Sequence, residues 1–206
     1  MIMKEKELTA AESLKLIERT IEQSRRDVAT ASAQPLLVWG GLVLSTSLII
    51  WLLITNTPRG EGGGSWHLLW ILMTLIGGIY QYYFNRSWSV PDTIVSRTIG
   101  YMWGVFGISV FVLWAINICA ITFGGISVRQ IIPMTPTIIL LMGLSVALTG
   151  LMMNRLFISI IGVVACAICA YFSLVNQGVN ELLCVAVTAV FTLLIPGLYL
   201  KFSNGR

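Results

Sequence analysis

From Pro35 to Leu200 the chain runs through six long apolar stretches, and no Lys, Arg, Asp, Glu or His lies deep inside any of them. About 20 apolar residues cross a hydrocarbon core as a helix, so stretches of this length predict membrane spans. The predicted spans are 35–55, 66–84, 98–123, 135–153, 156–174 and 182–200. Breakers separate them: Asn56-Thr57-Pro58 with the glycines that follow, Gly124-Gly125 with Pro133 and Pro136, and Asn176-Gln177-Gly178. The joint Asn154-Arg155 is so short that spans four and five are expected to form a tight antiparallel hairpin. The expected fold is an all-α polytopic membrane bundle of six transmembrane helices, with one amphipathic helix ahead of it.

Composition agrees, because 56% of the 206 residues are hydrophobic and 11% charged, with mean hydropathy +0.85. Soluble domains carry about a quarter charged residues. Charge is concentrated at the amino end, where Lys4, Lys6, Lys15, Arg19, Arg25 and Arg26 accompany Glu5, Glu7, Glu12, Glu18, Glu22 and Asp27. The later basic residues are scattered over loops and termini, which gives no reason to expect a nucleic-acid partner.

Sidedness follows from cation placement. With the amino terminus inside, the inner side holds the six tail cations with Arg86, Arg97, Arg155, Lys201 and Arg206, and the outer side only Arg59 and Arg129. Eleven against two places both termini in the cytoplasm. The first apolar stretch follows a charged helix and no short basic leader, so the first span is expected to stay as an uncleaved anchor. Aromatic residues such as Trp39, Trp51, Trp66 and Tyr199 fall near the predicted boundaries.

Residues 1–34 are expected to form the cytoplasmic amphipathic helix, over about 10–33, and 202–206 the cytoplasmic tail. Thr9-Ala10-Ala11-Glu12 has the form of a capping box. Leu14, Ile17, Ile21 and Val28 then make a narrow apolar stripe, with Glu22 and Arg26 as an i,i+4 pair. Pro35 is expected to stop the helix, because its ring pushes Gln34 out of the helical region. A helix with so thin a stripe is marginal in water, so the stripe needs cover. Its own bundle, a cytoplasmic protein partner or a second copy would supply it. The inner loops would add Arg86, Asp92 and Arg97 to such a contact.

No catalytic, metal or cofactor site is expected. Ionisable groups inside a membrane are costly and usually functional, and the spans lack them. Cys166-Ala167-Ile168-Cys169 has redox spacing but sits in an apolar helix where thiols stay protonated, and is read as packing. Cys119 and Cys184 both fall toward the outer boundary, where a disulfide is conceivable. His67 stands without a second histidine or an acid fixed beside it and is read as an interfacial anchor.

Small residues form a more informative pattern. Gly100 and Gly104, then Gly143 and Ala147, then Gly162, Cys166 and Ala170 lay narrow faces on spans three, four and five, where close approach is expected within one bundle. Gly40-Gly41 and Gly77-Gly78 extend the pattern. Ser109, Asn117, Ser145, Thr149 and Thr188 are the candidates to line a polar cavity. Hydroxyls also satisfy themselves on their own backbone, so they require no ligand. Pro196-Gly197 is expected to kink or end span six.

Taken together, Glu12-Ser13-Leu14-Lys15-Leu16-Ile17, Leu36-Leu37-Val38-Trp39-Gly40-Gly41, Gly77-Gly78-Ile79-Tyr80, Arg97-Thr98-Ile99-Gly100-Tyr101-Met102-Trp103 and Ile195-Pro196-Gly197 resemble a family of small, uncharacterised six-span bacterial inner-membrane proteins with a short amino-terminal cytoplasmic helix. The resemblance implies compartment and topology, without a reaction. A non-enzymatic interaction or regulatory component is the expected function. A passive channel or transporter for a small, weakly polar or apolar compound is the alternative.

Overall fold

The computed structural model describes residues 10–58, 65–87, 93–125 and 132–203. All of its regular elements are helical among the described residues: α1 (Ala10–Asn56), a short 3-10 turn (Ser65–Leu68) leading into α2 (Leu69–Ser87), α3 (Ile94–Thr122), α4 (Met134–Met152), α5 (Leu156–Val175), α6 (Glu181–Ala189), a π-helical segment (Val190–Leu194) and α7 (Ile195–Ser203). Among the described residues, five helices are long and apolar enough to cross a membrane: α1, α3, α4, α5 and the continuous rod Glu181–Ser203. The architecture is therefore compatible with a membrane helical bundle. The helix α2 is not among the five, and its apolar run gives way to Gln81, Asn85 and Arg86 toward its end.

The stop expected at Pro35 does not occur. The helix α1 runs for 47 residues with Pro35 inside it. Proline removes one N–H and crowds the carbonyl four residues back, which costs about 3 kcal/mol in an unsupported helix. Here the turns around it are buried: Val28, Ala29, Ala33 and Leu36 belong to the main core with Leu193 and Leu200. Tertiary packing offsets the local penalty and carries the rod straight through.

The second proline is handled differently. The rod Glu181–Ser203 does not end at Pro196 but widens ahead of it into the π-helical segment, in which the Ile195 N–H reaches the Val190 carbonyl. A wider turn gives the proline ring room against the preceding carbonyls. The two irregular regions meet. A Cβ added at Gly197 would lie 2.9 Å from Leu37 Cγ and 3.2 Å from the Ala33 carbonyl, and one at Gly40 would lie 2.9 Å from Leu193 Cβ. These glycines let α1 approach the rod Glu181–Ser203 at backbone distance.

In each glycine pair one member packs and its neighbour is open. Gly77 lies under the Trp39 indole, whose Cζ3 is 2.7 Å from the ideal Cβ position, whereas Gly78 and Gly41 meet nothing within 4 Å. Adjacent helical residues point about 100° apart, so only one of two can face a given partner. The Trp39 indole N–H also donates to Gln81 Oε1 at 3.4 Å, tying α2 to α1.

Helices α4 and α5 make the most intimate pairing, as the short joint predicted. The helix α4 closes with the Asn154 N–H on the Leu151 carbonyl and the Arg155 N–H on the Gly150 carbonyl, while Asn154 takes φ 55°. This is a Schellman cap with asparagine in its left-handed position. Arg155 then serves as the N-cap of α5, so one residue ends one helix and starts the next. Ser159 Oγ crosses the pair and donates to the Ala147 carbonyl at 2.8 Å.

The predicted packing faces divide. Gly143, Ala147, Gly162, Cys166 and Ala170 are buried along the α4–α5 seam. Gly100 and Gly104 meet nothing within 4 Å, because α3 turns Ile99, Leu113 and Asn117 inward and leaves its glycine face outward. The core itself lies mainly at the end of the bundle near the α4–α5 turn, where Val28, Ala29, Met153, Ile158 and Leu200 pack together.

Candidate functional site

The amino-terminal stripe does not remain one surface. Val28 is 2% exposed and belongs to the core, whereas Leu14, Ile17 and Ile21 are 68%, 56% and 47% exposed. The difference follows from position along one rod. The turns from Val28 onward pass beside Met153 and Leu200 and bury, while the earlier turns project past the end of the bundle. Glu22 and Arg26 pair at 3.3 Å on this projecting part. Leu14, Ile17 and Ile21 border a shallow groove together with Glu18, Arg19 and Gln23.

Arg86 and Arg97, expected in inner loops, are in helices instead. Arg86 falls in the last turns of α2 and Arg97 in the first turn of α3, where its side chain is exposed. The helix α3 starts earlier than its hydropathy indicates because Thr93 caps it: Thr93 Oγ1 accepts from the Ser96 N–H at 3.2 Å, and Ser96 Oγ accepts from the Thr93 N–H at 3.1 Å. A Thr-x-x-Ser pattern ahead of an apolar run carries that signal. Asp92 and Thr9 lie outside the described residues.

The hydroxyls considered as cavity lining are turned inward on their own helices. Ser145 donates to Leu141 O, Thr149 to Ser145 O and Thr188 to Cys184 O, at 3.0, 2.7 and 2.7 Å. Thr149 and Thr188 are 3% and 0% exposed, enclosed by packed side chains. Asn117 is buried too, and its Nδ2 donates to the Ile132 carbonyl at 3.1 Å, linking α3 to the stretch that leads into α4. Ser109 is half-buried on α3. This set does not converge on one polar space.

The cysteines are free thiols, so the Cys119–Cys184 bridge is not formed. Cys166 and Cys169 pack with Ile139 and Ala170 in a second apolar cluster that Cys184 joins. Among the described residues, no three His, Cys, Asp or Glu side chains come together as a metal site would require. His67 is exposed in the 3-10 turn, and Glu181 accepts from the Gly178 N–H at 3.0 Å at the start of α6.

One feature was hidden in the sequence. Where α1 passes the α4–α5 turn, Arg25, Arg26, Thr30 and Glu22 face Met153, Asn154, Arg155 and Ser203 around a cleft of about 480 Å³. Arg155 is 129 positions from Arg26 by their numbers, and only the continuity of α1 through Pro35 brings them to one place. The signal for it was the basic residue in a joint too short to hold it away from the bundle.

No protein-family model, curated protein or solved structure matches this chain.

Proposed function

We propose that this chain is a six-span inner-membrane protein with both termini in the cytoplasm, acting as a non-enzymatic interaction component. Its projecting amino-terminal helix docks a cytoplasmic protein partner or a second copy through Leu14, Ile17 and Ile21. The observation that carries this reading is their exposure at 68%, 56% and 47% on a helix continuous with the first span. Apolar side chains in a row on a projecting helix gain by burial against a partner, at roughly 25 cal/mol per Å² removed from water. Because the helix does not break at Pro35, force or rotation applied at the docking face reaches the core at Val28 and Leu36 directly. Arg97, exposed on the first turn of α3, offers a cation on the same side of the membrane in this topology.

The cation distribution of eleven against two supports the inside placement of both termini, and α2 completes the span count as a less apolar sixth crossing. Its Tyr80, Tyr82 and Tyr83 would sit in the inner interface, where aromatic rings are favoured. The likeness to small six-span bacterial inner-membrane proteins supports the same compartment. Passive transport finds less support, because the buried hydroxyls of Ser145, Thr149 and Thr188 are taken up by carbonyls one turn back.

Photocrosslinking from a cysteine at Glu18, an exposed position beside the stripe, tests the reading in intact cells. A discrete adduct with another protein or with a second copy, lost on Ile17→Asp, is expected. Adducts confined to the protein's own loops would overturn it.

A further inference from the structure

We propose that the cleft between α1 and the α4–α5 turn binds a phosphate group, through Arg25, Arg26 and Arg155. Three guanidinium groups line it against one carboxylate, Glu22, which is already engaged by Arg26 Nε at 3.3 Å. The remaining lining is polar but uncharged, from Thr30, Asn154 and Ser203, with Met153 as the apolar floor. Glu18 borders only the neighbouring shallow groove, and Asp27 borders neither. The space therefore carries an excess of fixed positive charge.

Arg25 is half-buried in the wall of this cleft. Its Nε is shut off from solvent and has no hydrogen-bond partner. A buried donor without an acceptor is a net cost to the fold, and more so on a charged group. Guanidinium is a planar fork that matches two oxygens of an oxyanion at once. A phosphate in the cleft would bond the outer guanidinium nitrogens of Arg25 and Arg155 and neutralise the excess charge, leaving the enclosed Nε of Arg25 as it is. The opening also lies where α4 ends at Met152 and α5 begins at Leu156, which in the proposed topology is the level at which these helices leave the hydrocarbon. Basic pockets at that depth meet the head groups of anionic phospholipids.

The shared chemistry is a phosphate oxyanion, carried by a phospholipid head group or free in solution. The cleft adjoins the shallow groove and shares Glu22, Arg25, Arg26 and Asn154 with it. Arg155, Thr30 and Ser203 line the cleft alone and Leu14, Ile17 and Ile21 the groove alone, so Ile17→Asp tests docking without touching the cleft.

Native mass spectrometry of the full-length protein in mild detergent, titrated with phosphatidylglycerol, phosphatidylcholine or inorganic phosphate, tests it. The doubly substituted R25Q/R155Q protein is compared with K15Q, which removes an exposed cation bordering neither space. Losing charged hydrogen bonds predicts a weakening of at least about tenfold for the cleft variant and none for K15Q. R25K/R155K keeps the charge without the fork and is expected to bind with intermediate strength, which also covers a failure of the glutamine variant to fold. Preference for phosphatidylglycerol over phosphatidylcholine assigns the lipid source; binding of inorganic phosphate with the same variant dependence, and no lipid preference, assigns the soluble one. Equal binding of every ligand by the wild type and the arginine variants overturns the proposal.

Discussion

Cys166 occupies the space into which Gly143 would project a side chain. An ideal Cβ on Gly143 would stand 2.6 Å from Cys166 Sγ and 2.8 Å from the Gly162 carbonyl. Where lipid surrounds the bundle, apolar burial gives helices little reason to prefer each other over lipid, and close packing supplies the attraction instead. The α4–α5 seam is thus held by the absence of a methyl group at Gly143 and by the backbone contact that this absence permits.

Gly143→Ala should accordingly lower thermal stability in detergent by about 1–3 kcal/mol, the usual cost of forcing an extra carbon into a filled space. Combining it with Cys166→Ala should recover only part of the loss, because the Cβ of residue 166, the atom nearest the added carbon, and the Gly162 carbonyl both remain in the way. Gly100→Ala and Gly104→Ala, which meet nothing within 4 Å inside α3, should instead leave stability unchanged or raise it by up to about 1 kcal/mol each, the helix propensity gained. A melting series read by a thiol-independent probe of unfolding separates the two classes.

Ser159 offers a second handle on the same seam. Its hydroxyl donates across to the Ala147 carbonyl, and its Oγ would be 2.5 Å from a Cβ on Gly150. Ser159→Ala should cost about 0.6 kcal/mol and at most about 1.7, the average and the upper limit for interhelical hydrogen bonds in a membrane protein. Ser145→Ala, which removes a bond only within α4, should cost less. Steric trapping or denaturant titration in micelles would rank them.

What the sequence disclosed was local. Hydropathy placed the long helices within a few residues, and the two-residue joint at Asn154-Arg155 predicted the α4–α5 hairpin because so short a link leaves no other geometry. The small-residue spacing found the Gly143, Gly162 and Cys166 face. The same spacing misled at Gly100 and Gly104, since periodicity identifies a flat face without saying whether a partner covers it. Pro35 misled for the complementary reason: its penalty is a local property, and the packing of Ala33 and Leu36 with Leu193 and Leu200 that offsets it is not. The arginine cleft needed both facts at once, a continuous α1 and a tight hairpin, and so lay beyond any reading of motifs.

Asn117 tests whether a buried polar group in α3 is structural. Its Nδ2 holds the Ile132 carbonyl at 3.1 Å, just ahead of the Pro133 that precedes α4. Asn117→Leu should cost about 1 kcal/mol, one hydrogen bond with its carbonyl left unpaired, and should raise amide exchange in the first turn of α4 without affecting α5. Uniform exchange changes throughout the bundle would argue that the residue has a wider role.

The continuity of α1 through Pro35 predicts mechanical coupling between the projecting turns and the bundle. Nitroxide labels at the exposed positions Glu18 and Lys201 should give a narrow distance distribution in the wild-type protein. Pro35→Ala should leave it narrow, because the rod is already unbroken and alanine favours helix by about 3 kcal/mol over proline in an unsupported interior. Two glycines inserted after Gln34 should broaden it, each costing about 1 kcal/mol in helix propensity and shifting Val28 and Ala29 out of register with Met153 and Leu200. A broad distribution in the wild type would mean that Pro35 acts as a hinge, and would remove the route by which docking at Leu14, Ile17 and Ile21 reaches the core.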